Sequence, residues 1–220
     1  MRNIIIAPGE HYHLFNRGIN KQIIFHDTRD YYRFLFLILY LQSPTIIKNI
    51  SKLMGDFMQH SVLQDYVQEV IDTRTIELIA FCIMPNHFHL IIKELKEGGI
   101  SNYMQRVLNA YSKYYNTKYD KSGHVFQGPY KAVHVGDDRQ LLHLSTYIHR
   151  NPREITKWLS KENHYYWSSY QDMVNENRWG NLLLPAILTD RFKDKEEYHQ
   201  FVKTSPAKLL KEELEYIDTL

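Results

Sequence analysis

The sequence predicts an α+β domain: one antiparallel sheet with helices on one face, in a split β-α-β arrangement, followed by a helical C-terminal extension. Three observations predict it. Ile76 to Met84 and His87 to Lys93 are apolar, strand-like runs joined by Pro85-Asn86, a hairpin pattern. Residues 29–41, about 101–118 and the stretch from Asp137-Asp138 to near Pro152 carry helical signals around such runs. Two further strand-like stretches, His11 to Asn16 and Tyr130 to Val135, stand before and after that set.

Taken in order, the first strand ends at the Arg17-Gly18 turn, and Asp27 or Thr28 caps a helix whose Tyr32, Leu35, Phe36 and Leu39 recur at helical spacing. Ser43-Pro44 stops that helix. In residues 44–72, Val62, Tyr66, Val67 and Val70 suggest another helix. Ile76 to Met84 is too short for a typical helix and rich enough in Ile and Phe for a strand buried on both faces. From His87 the two-residue alternation sets His87, His89 and Ile91 on one face and Phe88, Leu90 and Ile92 on the other. Gly98-Gly99 breaks the strand, and Ser101 is the expected cap of the next helix. Asp137-Asp138 caps the last core helix, which must finish near Pro152 because the residue before proline is pushed out of helical geometry. Residues 1–172 read as one domain with an inserted segment at about 44–72, and residues 173–220 as a helical extension stopped at Pro185 and Pro206.

Composition narrows the functional classes. The chain has 220 residues, 27 Lys+Arg against 25 Asp+Glu, 17 Tyr, 12 His and 1 Cys. The lone Cys82 excludes an internal disulfide framework and a multi-cysteine zinc cluster, and fits a reducing, cytoplasmic setting. The longest apolar run, Phe34 to Leu41, is far short of the about 20 residues a membrane-spanning helix needs. No secretion signal is visible at the start. The net charge of +2 averages a +5 stretch over residues 99–153 with a remainder of −3. That stretch interleaves Lys113, Lys118, Lys121, Lys131, Arg150 and Arg153 with rings such as Tyr114, Phe126 and Tyr130. Cations among aromatic rings suit single-stranded nucleic acid, where phosphates are neutralised and bases stack. A solvated helix face above core aromatics is the plainer reading of the same residues.

Two side-chain groups could carry chemistry. His87 and His89 lie about 6.5 to 7 Å apart along a strand, close enough to converge on one metal ion, although half-exposed histidines on a sheet face have the same spacing. His143, Tyr147 and Asn151 follow one another at four-residue intervals along a helix ridge, so a hydroxyl and an amide share a face. A tyrosine at a core boundary beside a helix-ending asparagine would look alike.

Together these features resemble the one-tyrosine HUH transposases, and within them the REP-associated tyrosine transposases of bacteria. The resemblance runs through Tyr12-His13-Leu14-Phe15-Asn16-Arg17-Gly18 and Met84-Pro85-Asn86-His87-Phe88-His89-Leu90. It continues through Ser122-Gly123-His124-Val125-Phe126-Gln127-Gly128-Pro129-Tyr130-Lys131, then Tyr147-Ile148-His149-Arg150-Asn151-Pro152 and Trp167-Ser168-Ser169-Tyr170. It implies a ferredoxin-like catalytic domain that nicks and rejoins single-stranded DNA near hairpins through a 5′-phosphotyrosine intermediate. It also implies Tyr147 as nucleophile, with His87, His89 and Asn151 holding a divalent Mg²⁺ or Mn²⁺ ion. Arg17, Lys113, Lys118, Lys121, Phe126, Gln127, Tyr130, Lys131, Arg150 and Arg153 are the candidate DNA contacts, and monomeric or homodimeric forms are both compatible. The alternative is a domesticated protein that keeps hairpin binding without cleavage; a closed zinc site using His124 or His143 as a third ligand is a more distant one. The chain departs from the family pattern in the long 44–72 segment, in Arg153-Glu154, and in Pro129 where an arginine is usual.

Overall fold

The structure, a computed structural model, describes residues 4–60 and 62–206. Four strands, β1 (His11–Arg17), β2 (Ile76–Met84), β3 (His87–Glu94) and β4 (Lys131–Val135), form one sheet in the order β2-β3-β1-β4. Every neighbouring pair is antiparallel. That is the ferredoxin-like split β-α-β order, and the α+β class stands.

Helix α1 (Thr28–Tyr40) crosses from β1 toward the β2 edge, and α4 (Gly99–Tyr119) connects β3 to β4. Both pack on the face that carries Tyr12, Leu14, Phe88, Leu90 and Ile92. Asp27 caps α1 in a reciprocal capping box with Asp30, and Asp137 caps α5 (Asp138–Arg150) by accepting from Gln140 N. Ser101 does not cap α4. The buried Glu94 carboxylate accepts from Gly99 N at 3.0 Å and Ile100 N at 2.6 Å, satisfying the helix start from the end of β3. Gly99 is required there, since a Cβ would lie 2.5 Å from the Thr75 carbonyl oxygen.

The stretch after α1 forms α2 (Ile50–His60) and α3 (Gln64–Thr73), with Tyr66, Val67 and Val70 in the latter. Phe57 of α2 is fully buried against Phe36, Tyr40 and Trp179. The Arg106 guanidinium donates to the carbonyls of Ser43 and Thr45, tying the chain between α1 and α2 to α4.

The expectation of helices on one face holds for α1 and α4 but not for α5. That helix covers the opposite face with Leu141, Leu144 and Ile148, together with α6 (Tyr170–Val174), α7 (Ala186–Thr189) and α8 (Lys195–Thr204). The reason lies in the strands: Phe15, Cys82, Met84 and Ile91 make the second face apolar too, so it requires its own cover. Trp167-Ser168-Ser169 runs beside the outer edge of β2, where Ile83 N donates to Trp167 O and Ser169 N to Phe81 O, both at 2.9 Å. The free edge is thereby paired. Pro185 precedes α7 and Pro206 follows α8; residues 207–220 of the expected extension lie outside the described residues.

Candidate active site

The antiparallel register decides which side chains meet. His13 pairs with Ile91 and Phe15 with His89, so His13 lies diagonally across from His89 on the sheet face that α5 covers. His89 is buried and His87, one step toward the sheet end, is half-buried beside Arg17. The His87 and His89 rings are 5.1 Å apart between centroids. From α5, the Tyr147 ring stands edge-on to His89 at 5.4 Å and to His13 at 6.3 Å. Asn151, at the end of α5, reaches His87 with its Oδ1 3.0 Å from Nε2. The two histidines, the amide and the tyrosine singled out in the sequence therefore converge.

The electrostatics of His87 are unbalanced. Its Nδ1 lies 2.7 Å from Asn86 Oδ1 and its Nε2 3.0 Å from Asn151 Oδ1. Neither amide is free to turn: Asn86 Nδ2 donates to Lys21 O at 3.1 Å, and Asn151 Nδ2 to Tyr147 O at 3.0 Å. Burial holds the His87 pKa below its ordinary value, against the Asn151 contact and the nearby Glu154 carboxylate, which favour the charged form. A neutral imidazole has one N–H for two acceptor oxygens. When Nδ1–H points at Asn86, the Nε2 lone pair faces the Asn151 oxygen with nothing positive between them.

That arrangement fits a cation. Two donors bound to one octahedral Mg²⁺ or Mn²⁺ with bonds of about 2.1 Å stand about 3.0 Å apart, the observed Nε2 to Oδ1 separation. An imidazole pair with an amide oxygen also suits a harder divalent ion better than a thiolate set would. Among the described residues no group of three or more His, Cys, Asp or Glu side chains is arranged to hold a metal. His124 is exposed on its loop and His143 packs at a tilt against Phe201, so neither supplies a third imidazole here.

His13 is the residue that sequence reasoning passed over. Its Nε2 is 2.9 Å from His89 Nδ1, its own Nδ1 is buried without a partner, and burial depresses its pKa to about 3. A neutral His13 accepting from His89 Nδ1–H leaves the His89 Nε2 lone pair available, the usual way an outer residue sets the tautomer of a ligand. The available signal was the strand alternation itself, which places His13 on the same sheet face as Phe15 and Arg17.

The expected DNA contacts divide. Arg17, Gln127 and Lys131 adjoin the histidines: Arg17 Nε donates to Gln127 Oε1 at 2.7 Å, and the exposed Lys131 reaches over the Phe15 ring. Gly18 lets that loop approach, since a Cβ would strike the Gln22 carbonyl. Lys121 is exposed just past α4. Phe126 and Tyr130 are buried in the core and present no face for stacking. Lys113 and Lys118 lie on α4, across the sheet from the histidines, and Lys118 is paired with Asp27 and Asp30. Arg150 donates to Ser205 O at 2.7 Å and Arg153 pairs with Glu162, both within the C-terminal region.

The family described as "Transposase IS200 like" matches residues 45–151, a span that contains His87, His89, Tyr147 and Asn151. No match was found among curated proteins. A solved structure described as a REP-associated tyrosine transposase bound to a REP hairpin shares the fold, with 15% identity and a TM-score of 0.52. The superposition covers 79% of this chain and 84% of that one. The resemblance carried by the five motifs therefore stands, and the chain is similar in sequence to the IS200-like transposases and in fold to a REP-associated tyrosine transposase.

Proposed function

We propose that the protein is a metal-dependent transposase that cuts and rejoins single-stranded DNA beside a hairpin, with Tyr147 as nucleophile. The observation that carries this reading is that two amide oxygens, Asn86 Oδ1 at 2.7 Å and Asn151 Oδ1 at 3.0 Å, face the two nitrogens of His87, with Asn151 at the end of the helix that also carries Tyr147. Bound between them and His89, a Mg²⁺ or Mn²⁺ ion would polarise the scissile phosphodiester and favour the tyrosine phenolate, whose ordinary pKa is near 10.

Tyr147 Oη attacks the phosphorus, forming a 5′-phosphotyrosyl bond, while the P–O3′ bond breaks. The phenolic proton ends on the released 3′-oxygen through solvent. A second DNA 3′-hydroxyl reverses the step: it attacks the phosphotyrosine, and Tyr147 regains a proton. One phosphoester replaces another, so no nucleotide hydrolysis is required. His13 positions His89; Arg17 and Lys131 offer phosphate contacts beside the site. The solved relative's REP hairpin supports a hairpin DNA as the partner.

Incubation with single-stranded DNA bearing hairpin ends and Mn²⁺ should give a covalent adduct on a denaturing gel, lost in EDTA. Hairpin binding without any adduct would identify the non-cleaving DNA-binding alternative, and an undiminished adduct in Tyr147→Phe would remove the nucleophile assignment.

A further inference from the structure

The inserted helix α2 builds a surface that the reaction at Tyr147 does not use. Between α1, α2 and α4, on the face away from the histidines, runs an open groove of about 950 Å³ lined by Arg33, Lys52, Lys113 and Lys118. A neighbouring hollow of about 430 Å³ adds Arg29. No Asp or Glu lines either one. Lys118 is compensated by Asp27 and Asp30, but among the described residues Arg29, Arg33, Lys52 and Lys113 have no carboxylate partner within 4.0 Å.

Convergent cations repel one another, and natural surfaces usually intersperse the signs. Here the repulsion is built in by tertiary structure. Arg33 is packed 5.2 Å over the Tyr114 ring with its Nε buried and without a hydrogen-bond partner, and Phe57 anchors α2 so that Lys52 stays opposite Lys113. The hydroxyls of Ser51 and Thr117 stand among these cations, and α2 has no acidic residue in its first turn. The groove is open and lined by cations along its walls, which suits a polyanion lying across it more than a small enclosed ligand.

We propose that this groove is a second DNA-binding surface, in which Arg29, Arg33, Lys52 and Lys113 neutralise backbone phosphates of the hairpin outside the strand held at Tyr147. The proposal rests on the hairpin-processing function above and gives the inserted segment a role in it. Contacts of this kind position the duplex and carry no base readout.

The test is the salt dependence of hairpin binding by the full chain, followed by fluorescence anisotropy in EDTA between about 50 and 200 mM salt. Each phosphate contact contributes roughly 0.7 to 0.9 to the slope of log affinity against log salt, so Arg33→Gln/Lys52→Gln/Lys113→Gln should lower the slope by about 2 to 3. Affinity should fall at least about tenfold at 100 mM salt. Lys52→Arg/Lys113→Arg should keep the parental slope. Should the triple variant lose its melting transition, the exposed single changes Lys52→Gln and Lys113→Gln should each remove about 0.8. Adding Arg17→Gln should reduce the slope further and additively, because that residue lies across the sheet. An unchanged slope in folded variants would overturn the groove while leaving the proposed function intact. So would loss of stabilisation by inorganic phosphate in those variants with no change in the hairpin slope, which would identify a small-anion site. Failure of the unaltered chain to bind the hairpin would overturn both.

Discussion

Each face of the sheet buries a polar cluster, one around Asp30 and one around His13 and His87, and these two clusters are satisfied to opposite degrees. On the α1/α4 face, Asp30 is fully buried yet fully partnered: its carboxylate accepts from Lys118, Tyr114, Tyr119 and the His26 backbone. Burial alone would raise its pKa, but these donors outweigh it and hold the group below its ordinary value. On the α5 face, His13 and His87 are left with a lone nitrogen or with one proton for two acceptors. A satisfied buried network serves the fold; an unsatisfied one beside a tyrosine and an amide is the arrangement on which the proposed cation site rests. The contrast separates stability from chemistry, and it can be broken from either side.

The largest expected effect is at the proposed nucleophile. Tyr147→Phe should abolish the DNA adduct on a denaturing gel while hairpin affinity stays within about twofold, because the ring remains. Next, His87→Ala and His89→Ala should each abolish Mn²⁺ binding followed by electron paramagnetic resonance, and with it cleavage. His13→Leu should weaken Mn²⁺ binding by about 10- to 100-fold, the usual cost of losing an outer-sphere partner, and His13→Gln, whose amide oxygen can accept, should recover part of it. Equal Mn²⁺ affinity in His13→Leu and the parent would show that His89 needs no such orientation.

On the opposite face the same kind of change should affect folding instead. Asp30→Asn should cost about 3 kcal/mol in chemical denaturation, since it leaves Lys118 short of a partner in a partly buried site, and should leave Mn²⁺ affinity unaltered. The folded Asp30 pKa lies below the unfolded value of about 3.9, so its stabilisation is complete above that value and is lost as pH falls through the lower, folded pKa. Acid denaturation should therefore be less steep in Asp30→Asn than in the parent. The smallest effect belongs to the α5 anchor. Tyr198 OH lies 2.8 Å from His149 Nδ1 and 3.1 Å from Ser145 Oγ, while His149 Nε2 lies 3.0 Å from Ser169 Oγ. Tyr198→Phe should cost about 1 to 2 kcal/mol in the same assay and should lower cleavage only modestly, because α5 keeps its apolar stripe.

Much of the site was legible because it depends on local periods. A two-residue alternation places His87 and His89 on one face in any strand, and a four-residue interval places Tyr147 and Asn151 on one side of any helix. The caps Asp27 and Asp137 are equally local. Ser101 failed as a cap because Glu94, five residues before Gly99, reached the helix start first through a turn that only the folded chain defines. The aromatic and basic stretch is divided between the two faces for a related reason. Tyr114, Phe126 and Tyr130 are adjacent in sequence to cations, yet burial took Phe126 and Tyr130 inward, and α4 carried Lys113 and Lys118 to the far face.

What the sequence determined by itself was the order of elements, the antiparallel α+β class and the two pairs of side chains that repeat within one strand and one helix. Only the tertiary structure decided that these pairs meet, that His13 joins them through the β1–β3 register, and that helix α2 sets Lys52 beside the same groove as Lys113. The physical reason is range: hydrogen-bond periodicity repeats within a few residues, whereas register and the choice of face are set by which apolar surfaces must be covered across the whole chain.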